Sequence, residues 1–324
     1  MLKPIIVTGA AGFIGRNVVD ELNRRGHTEL ILTDLLGTDE KWRNLRGLQY
    51  EDLLAPSSLL ERIELGQFNN ALAIIHLGAC SSTTERDANY LLENNYRYTR
   101  TLCEFSLKQG IRFIYASSAA TYGDGSKGYS DDDAVTTTLH PLNMYGYSKH
   151  MFDLWALKTG ALKQIVGLKY FNVFGPCEDH KGDMKSVVAK SYQQIRQVGR
   201  VQLFKSYKSE YADGEQMRDF VYVKDAVAVT LSFLENGTAS GLFNCGTGKA
   251  RTWKDLVTAV FSAMKLPVQI DHVEMPESLR GKYQYFTEAN MKKLHAAGYK
   301  GIFHTLEDAV TDYVETYLSK REQA

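Results

Sequence analysis

The chain has 324 residues, enough for one large or two modest domains, and its 44% hydrophobic and 23% charged content is that of a folded protein with a substantial core. Lys+Arg and Asp+Glu both number 38, a balance that argues against nucleic-acid binding, which asks for a basic excess or a basic face. Cys80, Cys103, Cys177 and Cys245 are scattered without a C-x-x-C pair and read as reduced thiols rather than a disulfide scaffold or metal site. No run approaches the ~20 apolar residues of a membrane span or forms a signal segment, so a cytoplasmic protein is expected.

Short apolar runs at 4–8, 30–33, 73–77, 113–116 and 165–170 alternate with amphipathic stretches at 13–25, 89–109 and 147–159. Strand runs alternating with helical periodicity predict β-α-β units, and continuous apolar strands predict a parallel sheet covered on both faces. The texture changes after Phe171, where Gly175-Pro176 breaks the chain and polar stretches follow at 178–185 and 205–218. The expected architecture is α/β: a doubly wound Rossmann sheet over 1–171, with 219–247 returning to it. A smaller, discontinuous substrate domain is expected over 172–218 and 248–324.

The first predicted strand runs into Gly9-Ala10-Ala11-Gly12-Phe13-Ile14-Gly15, a G-x-x-G-x-x-G turn that opens a helix. Glycines there permit the tight turn and a close approach of a pyrophosphate, which would rest on the helix N-terminus. A lone motif of this kind can be a structural turn. The context argues otherwise: Asp34 ends the second predicted strand about twenty residues on, where a carboxylate can hold ribose hydroxyls. Asp52 and Leu53 close the next predicted strand, beside an adenine edge. Asp34 would repel a 2′-phosphate and favours NAD, whereas Lys41, Arg43 and Arg46 could neutralise one, so the residues leave NAD and NADP open.

Tyr145 and Lys149 are four residues apart, hence on one face if this segment is helical. A free phenol titrates near pH 10. An adjacent ammonium and an oxidised nicotinamide would lower that value and make Tyr145 a base. The pair alone is weak, since surface helices carry such spacing by chance. Here it follows a dinucleotide fingerprint and Tyr115-Ala116-Ser117-Ser118, a strand end at which Ser118 can hydrogen-bond a reacting oxygen. Arg218 suits a pyrophosphate, with an ion pair to Asp219 as the alternative. Phe204 and Tyr283 are core aromatics or covers for adenine.

These stretches, with His76-Leu77-Gly78-Ala79, Ser117-Ser118-Ala119-Ala120-Thr121-Tyr122-Gly123 and Tyr170-Phe171-Asn172-Val173-Phe174-Gly175-Pro176, resemble the extended short-chain dehydrogenase/reductase superfamily over nearly the whole chain. Within it the sequence is similar to the nucleotide-sugar 6-epimerases that act on an ADP-linked heptose. That similarity is carried by Gly78-Ala79-Cys80-Ser81-Ser82-Thr83-Thr84-Glu85, His180-Lys181-Gly182-Asp183-Met184 and Gly281-Lys282-Tyr283-Gln284.

The resemblance implies oxidation of the C6″ alcohol to a ketone and return of the same hydride to the other face, with Tyr145 and Lys181 as two bases and Ser118 and Lys149 in support. It assigns Phe13, Ile14, Asp34, Leu35, Lys41, Leu77, Gly78, Ala79, Cys80, Ser81, Asn94, Lys149, Val173 and Lys181 to the cofactor, expected to be NADP with NAD as the alternative. It assigns Ser118, Asn172, Asp183, Lys190, Phe204, Arg218 and Tyr283 to the sugar nucleotide. It further implies a homo-oligomer, a pentamer, that supplies heptose to the lipopolysaccharide inner core. From spacing alone Lys181 reads as a solvated loop lysine or phosphate anchor; Lys185 and the nicotinamide are the expected neighbours that would depress its pKa.

The chain departs from the family pattern at Leu77 (an acidic residue expected), Leu35 (Asn), Asp183 (Ser) and Lys190 (His). A UDP-hexose 4-epimerase is the competing enzyme, and a dinucleotide-binding sensor the competing non-enzyme. A 4,6-dehydratase is disfavoured because Ala119-Ala120, not an acidic pair, follow Ser118.

Overall fold

The computed structural model describes residues 3–281 and 283–321; Lys282, in one of the discriminating stretches, lies outside them. Strands β1 (Ile5–Thr8), β2 (Leu30–Thr33), β3 (Asp52–Leu54), β4 (Ala73–His76), β5 (Arg112–Ser118) and β6 (Val166–Tyr170) follow in chain order. After them come β7 (Asn172–Phe174), β8 (Val201–Phe204), β9 (Met217–Tyr222), β10 (Gly241–Cys245), β11 (Ala250–Thr252) and β12 (Ile270–Val273). Seven strands form an all-parallel sheet in the order β10-β6-β5-β4-β1-β2-β3. The chain reverses its direction of winding between β1 and β4, the place where such sheets open a crevice at their C-terminal edge.

The apolar runs are explained by burial on both faces. Ile5 and Val7 pack into one core with Val18, Val227 and Val257, while Ile6 points the other way into a core with Phe113 and Phe152. Successive strand residues alternate between faces, so a strand covered on both sides is apolar at most positions. The helix Phe13–Arg24 covers one face and packs on the helix Val223–Glu235. The helix Met144–Thr159 covers the other, beside a helical stretch that runs Ala88–Leu91, widens into a π-helical turn at Leu92–Arg97, and continues as Tyr98–Gln109.

Two small sheets complete the chain: β11-β9-β7 and β12-β8. Gly241–Cys245 joins the large sheet beside β6, but Met217–Tyr222 pairs with β7 and β11 instead. Residues 219–222 of the expected returning segment therefore belong to the small sheet, and the return begins with the helix at Val223. Among the described residues no helix is long and apolar enough to cross a membrane.

Candidate active site

A cleft of about 720 Å³ runs along the C-terminal edge of the large sheet. The loops after β1, β2, β4 and β5 and the segment after β6 line it, so it collects residues far apart in sequence. Gly9, Gly12, Phe13, Ile14, Gly15, Asp34, Leu35, Lys41, Leu77, Gly78, Ala79, Cys80, Ser81, Ser118, Tyr145, Lys149, Asn172, Val173 and Lys181, all singled out from the sequence, line this one cleft.

The glycine turn fits a dinucleotide. Gly9 has φ +67°, and a Cβ on it would lie 2.6 Å from the Gly78 backbone nitrogen, so only glycine lets the two loops meet. Gly12 caps the helix Phe13–Arg24 without any side-chain cap, leaving that helix end and its dipole open to the cleft. Asp34 is nearly buried at the end of β2. It accepts hydrogen bonds from the Ala11 and Leu35 backbone N–H groups (2.8 and 2.7 Å) and pairs with Lys41 Nζ at 2.5 Å. Lys41 thus offsets the Asp34 charge at the mouth of the cleft.

Between the two loops runs a directional hydrogen-bond chain. Thr99 Oγ1 donates to Asn95 O (2.7 Å) and so must accept from His76 Nε2–H (2.8 Å). His76 Nδ1 is then bare and accepts from Thr8 Oγ1 (2.6 Å), which itself accepts from the Gly78 N–H (3.0 Å). Burial, aided by the nearby Lys149 charge, drops the His76 pKa to about 3 and keeps the ring neutral, as this chain requires. Asn95, in the π-helical turn, accepts from Cys80 N–H and donates to Cys80 O and Ser148 Oγ; Ser148 donates to Tyr145 O. The sequence reading passed over Thr8, Thr99 and Asn95. A π-turn is not visible in periodicity, and although Thr8 and His76 stood in recognised stretches, neither was given a role.

The helix bearing Tyr145 starts at Met144, three residues before the predicted start at 147. Asn143 caps it by accepting from Gly146 N–H at 2.8 Å. Gly146 permits this start, since a Cβ there would lie 2.8 Å from Ala120 O, in the turn that follows Ser118. The Ser118 hydroxyl bonds the Tyr145 phenol, lowering its pKa, but burial outweighs this and raises it. In the protein alone Tyr145 is therefore further from a base than a free phenol, and the expected lowering asks for the charge of a bound oxidised nicotinamide. Lys149 is buried beside it, with its pKa lowered by burial to about 8, while Asp153 and Cys80 favour the ammonium.

Lys181 reaches the cleft from another element, the 3₁₀ segment Asp179–Met184, with its Nζ 5.1 Å from the centre of the Phe13 ring. Burial lowers its pKa, the Lys190 charge adds to this, and Glu178 opposes it. The depressing cation is Lys190, not the expected Lys185. Lys190 does not line the cleft; its Nζ donates to Asp183 O (2.6 Å), so the two residues brace the segment that carries Lys181.

Other sequence candidates lie elsewhere. Asp52 opens β3 rather than closing it, which places it away from the crevice edge, where it pairs with Arg62 at 2.8 Å; Leu53 packs against the core. Asn94 donates to Asn95 rather than lining the cleft. Arg218, Phe204 and Tyr283 gather in a second cluster. The Arg218 guanidinium is buried 5.6 Å from the Trp253 ring centre and 5.1 Å from that of Tyr283, whose ring meets Phe204 edge-on. No ion pair holds Arg218 to Asp219. That carboxylate instead accepts from Thr247, Gly248 and Ala289 N–H groups, because adjacent strand residues point to opposite faces. Trp253, missed in the sequence, lines the cleft and donates to Tyr283 OH (2.9 Å), joining the two regions.

Residues 5–246 match the NAD dependent epimerase/dehydratase family. The chain is 56% identical over 315 residues to the ADP-L-glycero-D-manno-heptose-6-epimerase of Nitratidesulfovibrio vulgaris (strain DP4), covering 97% of this chain and 98% of that protein. It is 48% identical over 328 residues to the enzyme of the same name from Fusobacterium nucleatum, covering 98% and 99%. Among solved structures, the Helicobacter pylori ADP-L-glycero-D-manno-heptose-6-epimerase superposes with a TM-score of 0.81 at 25% identity, over 97% of this chain and 96% of that one. The chain belongs to the NAD dependent epimerase/dehydratase family and, within it, to the ADP-L-glycero-D-manno-heptose-6-epimerases.

Proposed function

We propose that the protein is an isomerase that inverts C6″ of ADP-D-glycero-β-D-manno-heptose through a transient 6″-ketone, using two bases and a nicotinamide dinucleotide. One observation carries this reading: Tyr145, Ser118 and Lys149 share a cleft with Lys181, which enters it from a separate element. Inversion at one carbon asks for a proton acceptor and a proton donor on different sides, unless the ketone turns over in the pocket to present both faces to a single base. The bound cofactor supplies the chemistry of accepting a hydride and returning it. Tyr145 removes the hydroxyl proton of one epimer, Ser118 orients the reacting oxygen, and Lys149 holds positive charge beside the phenol. Lys181, half-buried and depressed in pKa, exchanges the proton on the other epimer.

Arg218 is the group for the pyrophosphate. It is buried between two aromatic rings, with no carboxylate partner among the described residues, a costly state that a ligand anion would relieve. Lys41 beside Asp34 supports NADP over NAD, since its ammonium can meet a 2′-phosphate. Asn172 would meet the sugar at the cleft wall, while Asp183 and Lys190 would act through the Lys181 segment. The resemblance further supports a cytoplasmic homo-oligomer, a pentamer, serving lipopolysaccharide core synthesis, with the substrate domain formed by 172–218 and 248–324.

The test is to incubate the purified protein with ADP-D-glycero-β-D-manno-heptose and, separately, UDP-galactose, and to resolve the epimers. Conversion of the heptose alone is expected. Conversion of UDP-galactose alone would replace this reading by a hexose 4-epimerase, and conversion of neither would leave a dinucleotide-binding protein. The cofactor released on denaturation, identified by chromatography, decides between NADP and NAD.

A further inference from the structure

Below the floor of the cleft lies an ionic cluster that the proposed reaction does not use. Asp153 and Lys169 are both wholly buried, with Nζ 3.0 Å from Oδ2. Asp153 stands four residues beyond Lys149 and eight beyond Tyr145, so the three share one stripe of the helix Met144–Thr159. Its Oδ1 accepts from Tyr115 OH (2.8 Å) and its Oδ2 from Ser117 Oγ (2.7 Å) as well as from Lys169. Tyr115 and Ser117 occupy alternate positions of β5, whose last residue is Ser118. Lys169, on β6, also donates to Thr121 Oγ1 (2.7 Å), in the turn Ala119–Tyr122 that leaves Ser118, and sits 4.9 Å above the Tyr122 ring centre. One carboxylate and one ammonium thus tie together β5, β6, the turn after Ser118 and the helix of Tyr145 and Lys149.

Burying such a pair is an expensive way to fill a core, because the desolvation of two charges is seldom repaid in full and well-packed apolar side chains would serve stability as well. What the pair supplies instead is direction. Each of its hydrogen bonds has one geometry, whereas apolar contacts tolerate sliding along a helix.

We propose that Asp153 and Lys169 are positioning residues for the hydride-transfer site, fixing the strand end that presents Ser118 against the helix that presents Tyr145 and Lys149. The inference rests on the catalytic reading of those three residues given above. Neither member of the pair touches the substrate; they act through the residues they hold. The electrostatics point the same way. Lys149 faces Asp153 on its own helix, Cys80 on the loop after β4, and the neutral His76 on β4. Around Asp153 stand Lys169 on β6, Tyr115 on β5, His150 on the helix and Tyr122 on the turn. Its negative charge opposes the burial that lowers Lys149, so removing it makes Lys149 lose its proton at lower pH.

The test uses the full-length, cofactor-loaded enzyme with ADP-D-glycero-β-D-manno-heptose. D153N/K169M removes both charges together and leaves no orphan ion. The expected result is a kcat lowered roughly 10- to 100-fold, the cost of a misplaced reacting group. KM and bound cofactor should be close to wild type, and the alkaline limb of the kcat profile should move to lower pH. A folded, cofactor-loaded D153N/K169M with wild-type kcat and an unmoved alkaline limb overturns the proposal. If that variant does not fold, Y115F/S117A decides, since it keeps the ion pair and strips only the two β5 donors. A kcat several-fold lower at unchanged KM supports the clamp, and a wild-type kcat overturns it. Y145F runs alongside: wild-type turnover by Y145F would refute the catalytic reading itself, whereas a strongly impaired Y145F beside fully active D153N/K169M refutes only the positioning role.

Discussion

Tyr145 carries two opposing influences in the protein alone: the bond from Ser118 lowers its pKa, and burial raises it further. A base of this kind is conditional, competent when a positive charge arrives beside it. Lys181 is depressed by burial and by Lys190 without any ligand. The two bases should therefore be separable by mutation. Tyr145→Phe and Lys181→Met are each expected to lower epimerisation by about 10²- to 10⁴-fold, the usual weight of a general acid or base, while the purified variants retain cofactor by absorbance and chromatography. Lys181→Met at the wild-type rate would remove the second base from the scheme. Arg218 belongs at this scale as well. Arg218→Ala is expected to raise KM for the nucleotide sugar roughly 10- to 100-fold with cofactor content unchanged, the loss of one or two charge-assisted hydrogen bonds. An unchanged KM would assign the guanidinium to its aromatic stack alone.

Between elements, the glycine turn and the loop after β4 are joined backbone to backbone at Gly9 and Gly78, and the join is held by the Thr8–His76–Thr99 chain. This has a consequence for pH. His76 is neutral when folded, with a pKa of about 3, but takes a proton near pH 6.5 once unfolded. The unfolded chain then binds the extra proton between those values, so stability rises with pH across the window and falls as the pH drops from 6.5 toward 3. Urea unfolding measured between pH 6.5 and 4.5 should show a slope of about 1.4 kcal/mol per pH unit that His76→Asn lacks. Equal slopes in the two proteins would mean that His76 is protonated in the fold, contradicting the tautomer that the chain of hydrogen bonds demands.

At the scale of the molecule, the cleft has one wall from the large sheet and another from the later segments that carry Asn172, Lys181 and Trp253. A dinucleotide that spans the cleft would touch both, and a ligand bound only by the folded state stabilises all of it. Saturating the stripped protein with cofactor at about 100 times Kd should add roughly 2.7 kcal/mol and raise Tm, with the large sheet and the later segments melting in one transition. Two transitions, only the first moved by cofactor, would show the later segments to be a separately folding unit.

The sequence by itself determined the elements that answer to local pattern. The strands of the large sheet were legible because a parallel strand buried on both faces is apolar for most of its length, as at Ile5–Val7 and Ala73–Ile75, before the polar ends Thr8 and His76. Gly9, Gly12, Asp34, Tyr145 and Lys149 were legible because their chemistry demands fixed spacings within one turn or one β-α unit. The Asn143 cap was present in the sequence, yet the helix start was misread by three residues, since the glycine and tyrosines of 145–147 carry little periodicity. Short strands such as Met217–Tyr222 and Ala250–Thr252 were illegible, because their pairing depends on a neighbour distant in the chain. Only the tertiary structure decided that Arg218 donates to Met217 O and has no carboxylate partner among the described residues, that Lys190 rather than Lys185 acts on Lys181, and that Asp153 meets Lys169 below the site. Each is a through-space relation between side chains, and charge and burial take effect through distance in space, which residue spacing does not encode.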